Sequence, residues 1–230
     1  MKSTFGEKAK TFYNNLSLSS KLPSKVEAMN PYKLSSVRAY VGAFLNKYFS
    51  DNNNRVFVFG INPGRFGSGL TGVTFTDPVA LHKFCGIKND LAKTRERSSE
   101  FVYEFIKSWG GPEKFYKDFF LTAVSPLGFT QNGVNYNYYD NQELYSLIKP
   151  FIVRTLKAQL DFGANRKAAV LLGSGKNLKF FTELNNEHGF FKKLYALEHP
   201  RFIMQYRRKQ LARYLKKYRQ VFEKALSQQN

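Results

Sequence analysis

The sequence predicts an α/β fold, a three-layer α/β/α sandwich around a central, mostly parallel four-stranded sheet. Four short β-rich runs carry this reading: RVFVFGI (55–61), FFLTAV (119–124), KAAVLLG (167–173) and KLYALEH (193–199). Helical patterns separate them at Lys33–Phe49, Ser98–Trp109, Asn141–Leu160 and Lys176–His188. Strands that alternate with helices pair in parallel, with helices covering both faces. The third observation is size: 230 residues, 43% of them hydrophobic, can bury a substantial core. The whole chain, 1–230, is therefore expected to form a single domain, with N-terminal helices in 1–50 packed on an α/β core at 55–230.

Along the chain, PSKVEAMNPY (23–32) and SDNNNRV (50–56) read as loops from their Pro, Ser and Asn content. The first core strand runs into a polar turn holding Gly60, Asn62, Pro63, Gly64, Gly67, Gly69 and Gly72, with Phe75 just beyond. The second and third strands end in TAVSPLGF and LLGSGK, and the fourth in LEHPRF. GSGK (173–176) is not a phosphate loop, because Val170 and Asn177 stand where that motif needs Gly and Ser or Thr; a strand-to-helix turn is expected. In TQNGVNYNYYDN (130–141), Asn132-Gly133 signals a turn first, and the tyrosines offer base stacking as a second reading. The last segment (204–226) places Leu211, Tyr214, Leu215, Tyr218, Phe222 and Leu226 on one helical face. Arg207, Arg208, Lys209, Arg213, Lys216, Lys217 and Arg219 lie on the other.

Charge narrows the function. Thirty-six Lys and Arg against 17 Asp and Glu leave +19, which favours a polyanion, nucleic acid before an anionic membrane surface; a merely basic surface is the bland alternative. No apolar run approaches the ~20 residues of a membrane span, and the N-terminus lacks a signal-peptide pattern. One cysteine, Cys85, excludes an internal disulfide and any four-cysteine zinc or iron–sulfur site, and three histidines do not make a metal site. A cytoplasmic monomer with no cofactor and no metal is expected.

Ligands of parallel α/β sheets bind beyond the carboxyl ends of the strands. That rule gathers Asn62, Ser125 and His199 at one edge. Each has a plainer reading: Asn62-Pro63 as a turn, His199-Pro200 as a strand terminator, Phe75 as core.

GINPGRFGSGLTGVTF (60–75) together with HPRFI (199–203) resembles the uracil-DNA glycosylase superfamily, most closely its single-strand-selective monofunctional branch and a bacterial subgroup of it. That branch reads Gly-Met-Asn-Pro-Gly, then Phe-Gly, then Thr-Gly-Val-Pro-Phe. Gly60-Ile61-Asn62-Pro63-Gly64, Phe66-Gly67 and Thr71-Gly72-Val73-Thr74-Phe75 match at the same spacing. The family's Ser/Cys-Pro-Leu turn matches Ser125-Pro126-Leu127, and its His-Pro matches His199-Pro200.

The resemblance implies a monofunctional DNA glycosylase that flips out a deaminated or damaged base, acting at the nucleoid in base-excision repair. It implies that Phe75 stacks on the base, Gly64 leaves room, the Ile61 backbone grips the base, Asn62 holds the attacking water and His199 stabilises the departing base. Pro63, Arg65, Pro200, Arg201, Phe202, Arg207, Arg208 and Lys209 are implied DNA contacts. An amide at position 62 cannot take a proton as a carboxylate can, so a largely dissociative cleavage is expected. No lysine stands in the motifs, which argues against a lyase step. Ala123 occupies the place of the family's pyrimidine-reading Asn, which opens the pocket to xanthine or hypoxanthine besides uracil. Arg201–Tyr206 replace the family's wedge loop; Phe202, Ile203 or Met204 either wedge between bases or pack under the final helix. The reading from other classes is a non-catalytic DNA-binding module that senses damaged bases, or a basic protein acting on a soluble nucleoside.

Overall fold

In chain order, the computed structural model describes residues 3–229 and begins with helix α1 (Phe5–Asn14), strand β1 (Val26–Met29), helix α2 (Ser35–Tyr48) and strand β2 (Arg55–Gly60). Two short helices, α3 (Ser68–Thr71) and α4 (Pro78–Lys83), precede α5 (Arg97–Trp109) and α6 (Pro112–Asp118). Strand β3 (Phe119–Ala123) is followed by β4 (Gly128–Gln131) and β5 (Val134–Tyr136). The remainder alternates α7 (Gln142–Leu160), β6 (Ala164–Leu172), α8 (Lys176–His188), β7 (Lys193–Leu197), α9 (Pro200–Tyr206) and α10 (Leu211–Leu226).

The central sheet has the order β3-β2-β6-β7 and every pairing in it is parallel. All six residues of β2 and all five of β3 are buried, as expected of strands covered by helices on both faces. Register brings the carboxyl ends level: Gly60 lies beside Ala123 and Leu172 beside Leu197. The turns beyond are tied together by backbone bonds, Ser125 N–H to Ile61 O at 3.1 Å and Gly173 N–H to Leu197 O at 2.8 Å. The α/β expectation therefore holds, with three of the strand starts where expected and the other strand boundaries displaced by one to three residues.

Arg55 fastens the N-terminal helices to this sheet. Its guanidinium is buried between the rings of Phe5 and Phe49, 4.9 and 4.8 Å from their centroids. It donates to both Asp51 oxygens at 2.9 Å and to the carbonyls of Tyr48, Asn53 and Tyr116. A buried cation is tolerated only with its donors used in this way. Helix α1 itself begins with a capping box, Thr4 and Glu7 each bonding the other's backbone N–H.

A second sheet, β1-β4-β5, is antiparallel and has no counterpart in the sequence expectation. The segment 23–32, expected as loop, contains β1. Asn132 and Gly133 form the expected turn between β4 and β5, both at positive φ (50° and 71°), the geometry of a type I′ hairpin. The final segment also differs from one continuous helix: it breaks after Tyr206 and restarts at Leu211. Its basic face is not free of acids, because Arg208 pairs with Glu100, Lys217 with Glu198 and Arg219 with Glu223. Among the described residues no helix is long and apolar enough to cross a membrane, and no His, Cys, Asp or Glu cluster could hold a metal ion.

Candidate active site

Beyond the ends of β2, β3 and β7 lies a cavity of about 210 Å³. Its lining includes Ile61, Asn62, Pro63, Gly64, Phe75, Ala123, His199 and Arg201. A larger groove of about 610 Å³ between α1 and α7 carries no comparable convergence of these motif residues.

Asn62 is fixed by main chain on both ends of its amide. Nδ2 donates to Pro63 O and Tyr136 O, each at 3.3 Å, and Oδ1 accepts the Tyr138 N–H at 3.2 Å. The Tyr138 donor sets which end is oxygen. An amide oxygen has two lone pairs, so one remains for a further donor such as water. Asn62 lies in a bend of the chain and faces the cavity, and the turn proper follows at residues 65–67.

Phe75 sits in left-handed backbone, φ 55°, which is strained for an aromatic residue. Neighbouring bonds hold it there. Thr71 Oγ1 donates to Thr76 O at 2.6 Å, and Thr76 Oγ1 meets Thr74 O and the Tyr103 hydroxyl. The ring lies against the bare Cα of Gly60, where a Cβ would stand 2.7 Å from its Cζ. The Phe75 and His199 rings are 5.9 Å apart, centroid to centroid.

His199 ends the β7 connection and caps α9, its Nδ1 accepting the Arg201 N–H at 3.2 Å. A neutral ring with Nδ1 as acceptor carries its proton on Nε2. Burial first, and the charge of Arg201 second, lower its pKa to about 4. His199 is therefore a neutral N–H donor throughout the physiological range.

Other expected residues fall elsewhere. Ser125 does not line the cavity: it is fully buried, and its hydroxyl donates to Leu127 O at 2.8 Å, so it shapes the turn from below. Arg65 is half-buried, its guanidinium 4.6 Å from the Phe66 ring and bonded to Gly133 O. Pro200 is buried at the first turn of α9. Ile203 and Met204 lie on the buried face of that helix, and Phe202 alone of the three wedge candidates is exposed. Arg207, Arg208 and Lys209 are exposed between α9 and α10, with Arg207 over the Phe202 ring. The tyrosines of 130–141 pack inward: Tyr138 is buried and bonds Asn177, and Tyr139 stacks on Phe180. GSGK is the strand-to-helix turn expected, leading into α8.

Sequence reasoning did not single out Glu96, Ser98, Asn135 or Asn137, all of which line the cavity. The Glu96 carboxyl fills the space left by Gly64 and Gly67, where a Cβ would lie 2.8 and 1.9 Å from its oxygens. Burial raises the Glu96 pKa; the Ser98 hydroxyl and Arg201 oppose that shift and Asp77 adds to it. The only signal in the sequence is the pair of glycines whose missing side chains make the room.

A family model described as the Uracil DNA glycosylase superfamily matches residues 47–225. Among solved structures, that of wild-type Pedobacter heparinus SMUG2 matches with a TM-score of 0.93 and 44% sequence identity, covering 96% of this chain and 97% of that one. No curated protein matches the sequence.

Gly60→Ala is expected to push the Phe75 ring off the cavity wall and to lower the rate at this site about 10²-fold, the usual cost of an ångström's misplacement. Single-turnover kinetics beside a thermal melt check it, the fold being retained. A second expectation concerns pH. The folded-state pKa of His199 lies below that of the unfolded chain, near 6.5, so the unfolded state binds the proton first. The contribution is intact above pH 6.5 and is lost as pH falls toward about 4; it is worth up to about 3 kcal/mol. Denaturant unfolding at pH 4 to 7 is expected to show this loss in the native protein and not in His199→Gln.

Proposed function

The chain belongs to the uracil-DNA glycosylase superfamily, and we propose that it is a monofunctional DNA glycosylase that excises a deaminated base from DNA. The observation that carries the proposal is the meeting of a main-chain-locked Asn62, the His199 imidazole and the Phe75 ring around one cavity. A binding module that only sensed the base would need a stacking ring and a pocket, and neither a spare water acceptor nor a directed imidazole donor.

An extruded base enters the cavity with a face on Phe75, at an unstacking cost of a few kcal/mol. The C1′–N bond breaks with its electron pair moving to the base, leaving an oxocarbenium-like sugar. His199 Nε2–H donates to an oxygen of the base as negative charge grows there. A neutral donor already oriented stabilises that charge without reorganisation. The free lone pair of Asn62 Oδ1 accepts a hydrogen from water and turns its oxygen toward C1′. Water adds, its proton passes to solvent, and an abasic site remains. No lysine stands in the motifs to attack the sugar, so the strand stays intact.

Ala123 lines the cavity at the end of β3 with a methyl group, which exchanges no hydrogen bond with a pyrimidine edge. This supports a base profile wider than uracil, reaching xanthine and hypoxanthine. The test is single-turnover cleavage of labelled oligonucleotides bearing one uracil, xanthine, hypoxanthine or hydroxymethyluracil, read with and without hot alkali. Alkali-dependent breakage is expected, and strand breakage without alkali would contradict the monofunctional reading. No cleavage of any member, with salt-sensitive binding intact, would leave a binding module instead. Ala123→Asn is expected to shift preference toward uracil by about tenfold or more, the worth of one bidentate contact.

A further inference from the structure

When water adds to the sugar a proton must leave it, and the Asn62 amide cannot take that proton. Among the described residues that line the cavity, Glu96 alone carries a carboxyl group. Its N–H donates to Asp77 Oδ2 at 2.8 Å, and nearby Thr94 Oγ1 donates to Phe66 O at 3.3 Å. These bonds lay the start of α5 along the loop that carries Asn62. A Cβ on Gly64 would stand 2.8 Å from Glu96 Oε1, and one on Gly67 would overlap Oε2, so both oxygens rest on bare backbone. Asn135 Nδ2 closes the same notch, 3.7 Å from the Gly64 position.

The carboxyl has no cation set against it. None of the ion pairs among the described residues involves Glu96. A desolvated carboxyl without an ion pair to offset the cost is characteristic of functional sites. Burial raises its pKa above the ordinary 4.5; the Ser98 hydroxyl opposes the rise, Asp77 at the α4 cap adds to it and Arg201 on α9 opposes it. Arg65, on the loop itself, turns its guanidinium to Phe66 and Gly133. His199 shares the cavity and takes a proton only near pH 4. A carboxylate shifted toward neutrality in this way accepts protons more readily near pH 7.

We propose that Glu96 is the proton acceptor for the water that Asn62 orients. The inference rests on the DNA-glycosylase reading and adds its general base. Once the C1′–N bond has broken, a lone pair of the water oxygen forms the C1′–O bond. One O–H bond of that water breaks, its electron pair stays on oxygen, and the proton goes to the Glu96 carboxylate. Glu96 then passes it to solvent, ready for the next turnover. Until water is captured the base can rejoin the sugar, so slow proton removal lowers the net rate even of a dissociative cleavage. The amide orients and the carboxylate takes the proton, each doing what the other cannot.

The test is the single-turnover rate of base release from oligonucleotides bearing one uracil or one xanthine, followed across the acid and neutral range. The native rate is expected to rise with pH along a one-proton limb whose midpoint lies above 4.5, and then to level. Glu96→Gln keeps the size of the side chain and an acceptor oxygen but takes no proton. It is expected to lose the limb and to run about 10²-fold below the native plateau. Its affinity for an oligonucleotide with an abasic analogue is expected to stay within about twofold of native, with an unchanged melting temperature. Glu96→Ala is expected to be as slow and to recover about tenfold with added formate, a carboxylate that fits the vacated space. A variant rate that ignores formate would reduce Glu96 to packing and overturn the role. So would a native rate in Glu96→Gln, or an acid limb that persists there, which would belong to His199. Should Glu96→Gln not fold, the native profile decides, and a flat one would overturn the role. A native protein that releases no base overturns the glycosylase reading itself, whereas release undiminished in Glu96→Gln overturns only the general base.

Discussion

The ring of Phe75 can lie across the end of β2 because Gly60 has no side chain, and the cavity is organised around that contact. Parallel pairing sets Gly60 beside Ala123, so two small residues leave space at the carboxyl edge of the sheet. The turn from Thr71 to Thr76 then returns the chain with Phe75 in left-handed backbone, held by the two threonine hydroxyls. Gly72 makes the return possible: it adopts φ 73°, and a Cβ there would meet Val41 and Val37 at 2.6 and 2.7 Å. Strain at one aromatic residue is thus supported by hydrogen bonds and by packing against α2.

Electrostatics divide the cavity from its surroundings. The chain carries +19, yet its ion pairs show acids placed against several of the basic residues near α10. Inside, burial keeps His199 neutral and shifts Glu96 toward its protonated form. On the proposed glycosylase reading, neutral directed donors suit the negative charge that grows on a leaving base, and positive charge outside suits the phosphates.

The sheet and its long helices are legible in the sequence because their periods extend over many residues and their alternation implies parallel pairing. Strands β1 and β5, of four and three residues, are too short to show a period, and β1 is recognisable only by its partner β4. Asn62 and His199 can be read because strand ends converge by rule, whereas Phe75 and Ala123 stand out only through the resemblance. Ser125 obeys the same rule but turns inward, a choice made by its bond to Leu127. Glu96, Asn135 and Asn137 come from a helix cap, from β5 of the small hairpin and from just beyond it, which no parallel-sheet rule brings to the edge. The tyrosines near the hairpin cannot be sorted from sequence, since Tyr138 is as apolar a filler as a base platform until its partner Asn177 is placed.

The central claim is that Asn62 directs water and does not bind the DNA. The most direct measurement is the single-turnover excision rate of Asn62→Ala beside its affinity for an oligonucleotide carrying an abasic analogue. The account predicts a rate lower by about 10²-fold or more, with affinity within about twofold of the native protein. A native rate in Asn62→Ala would contradict it.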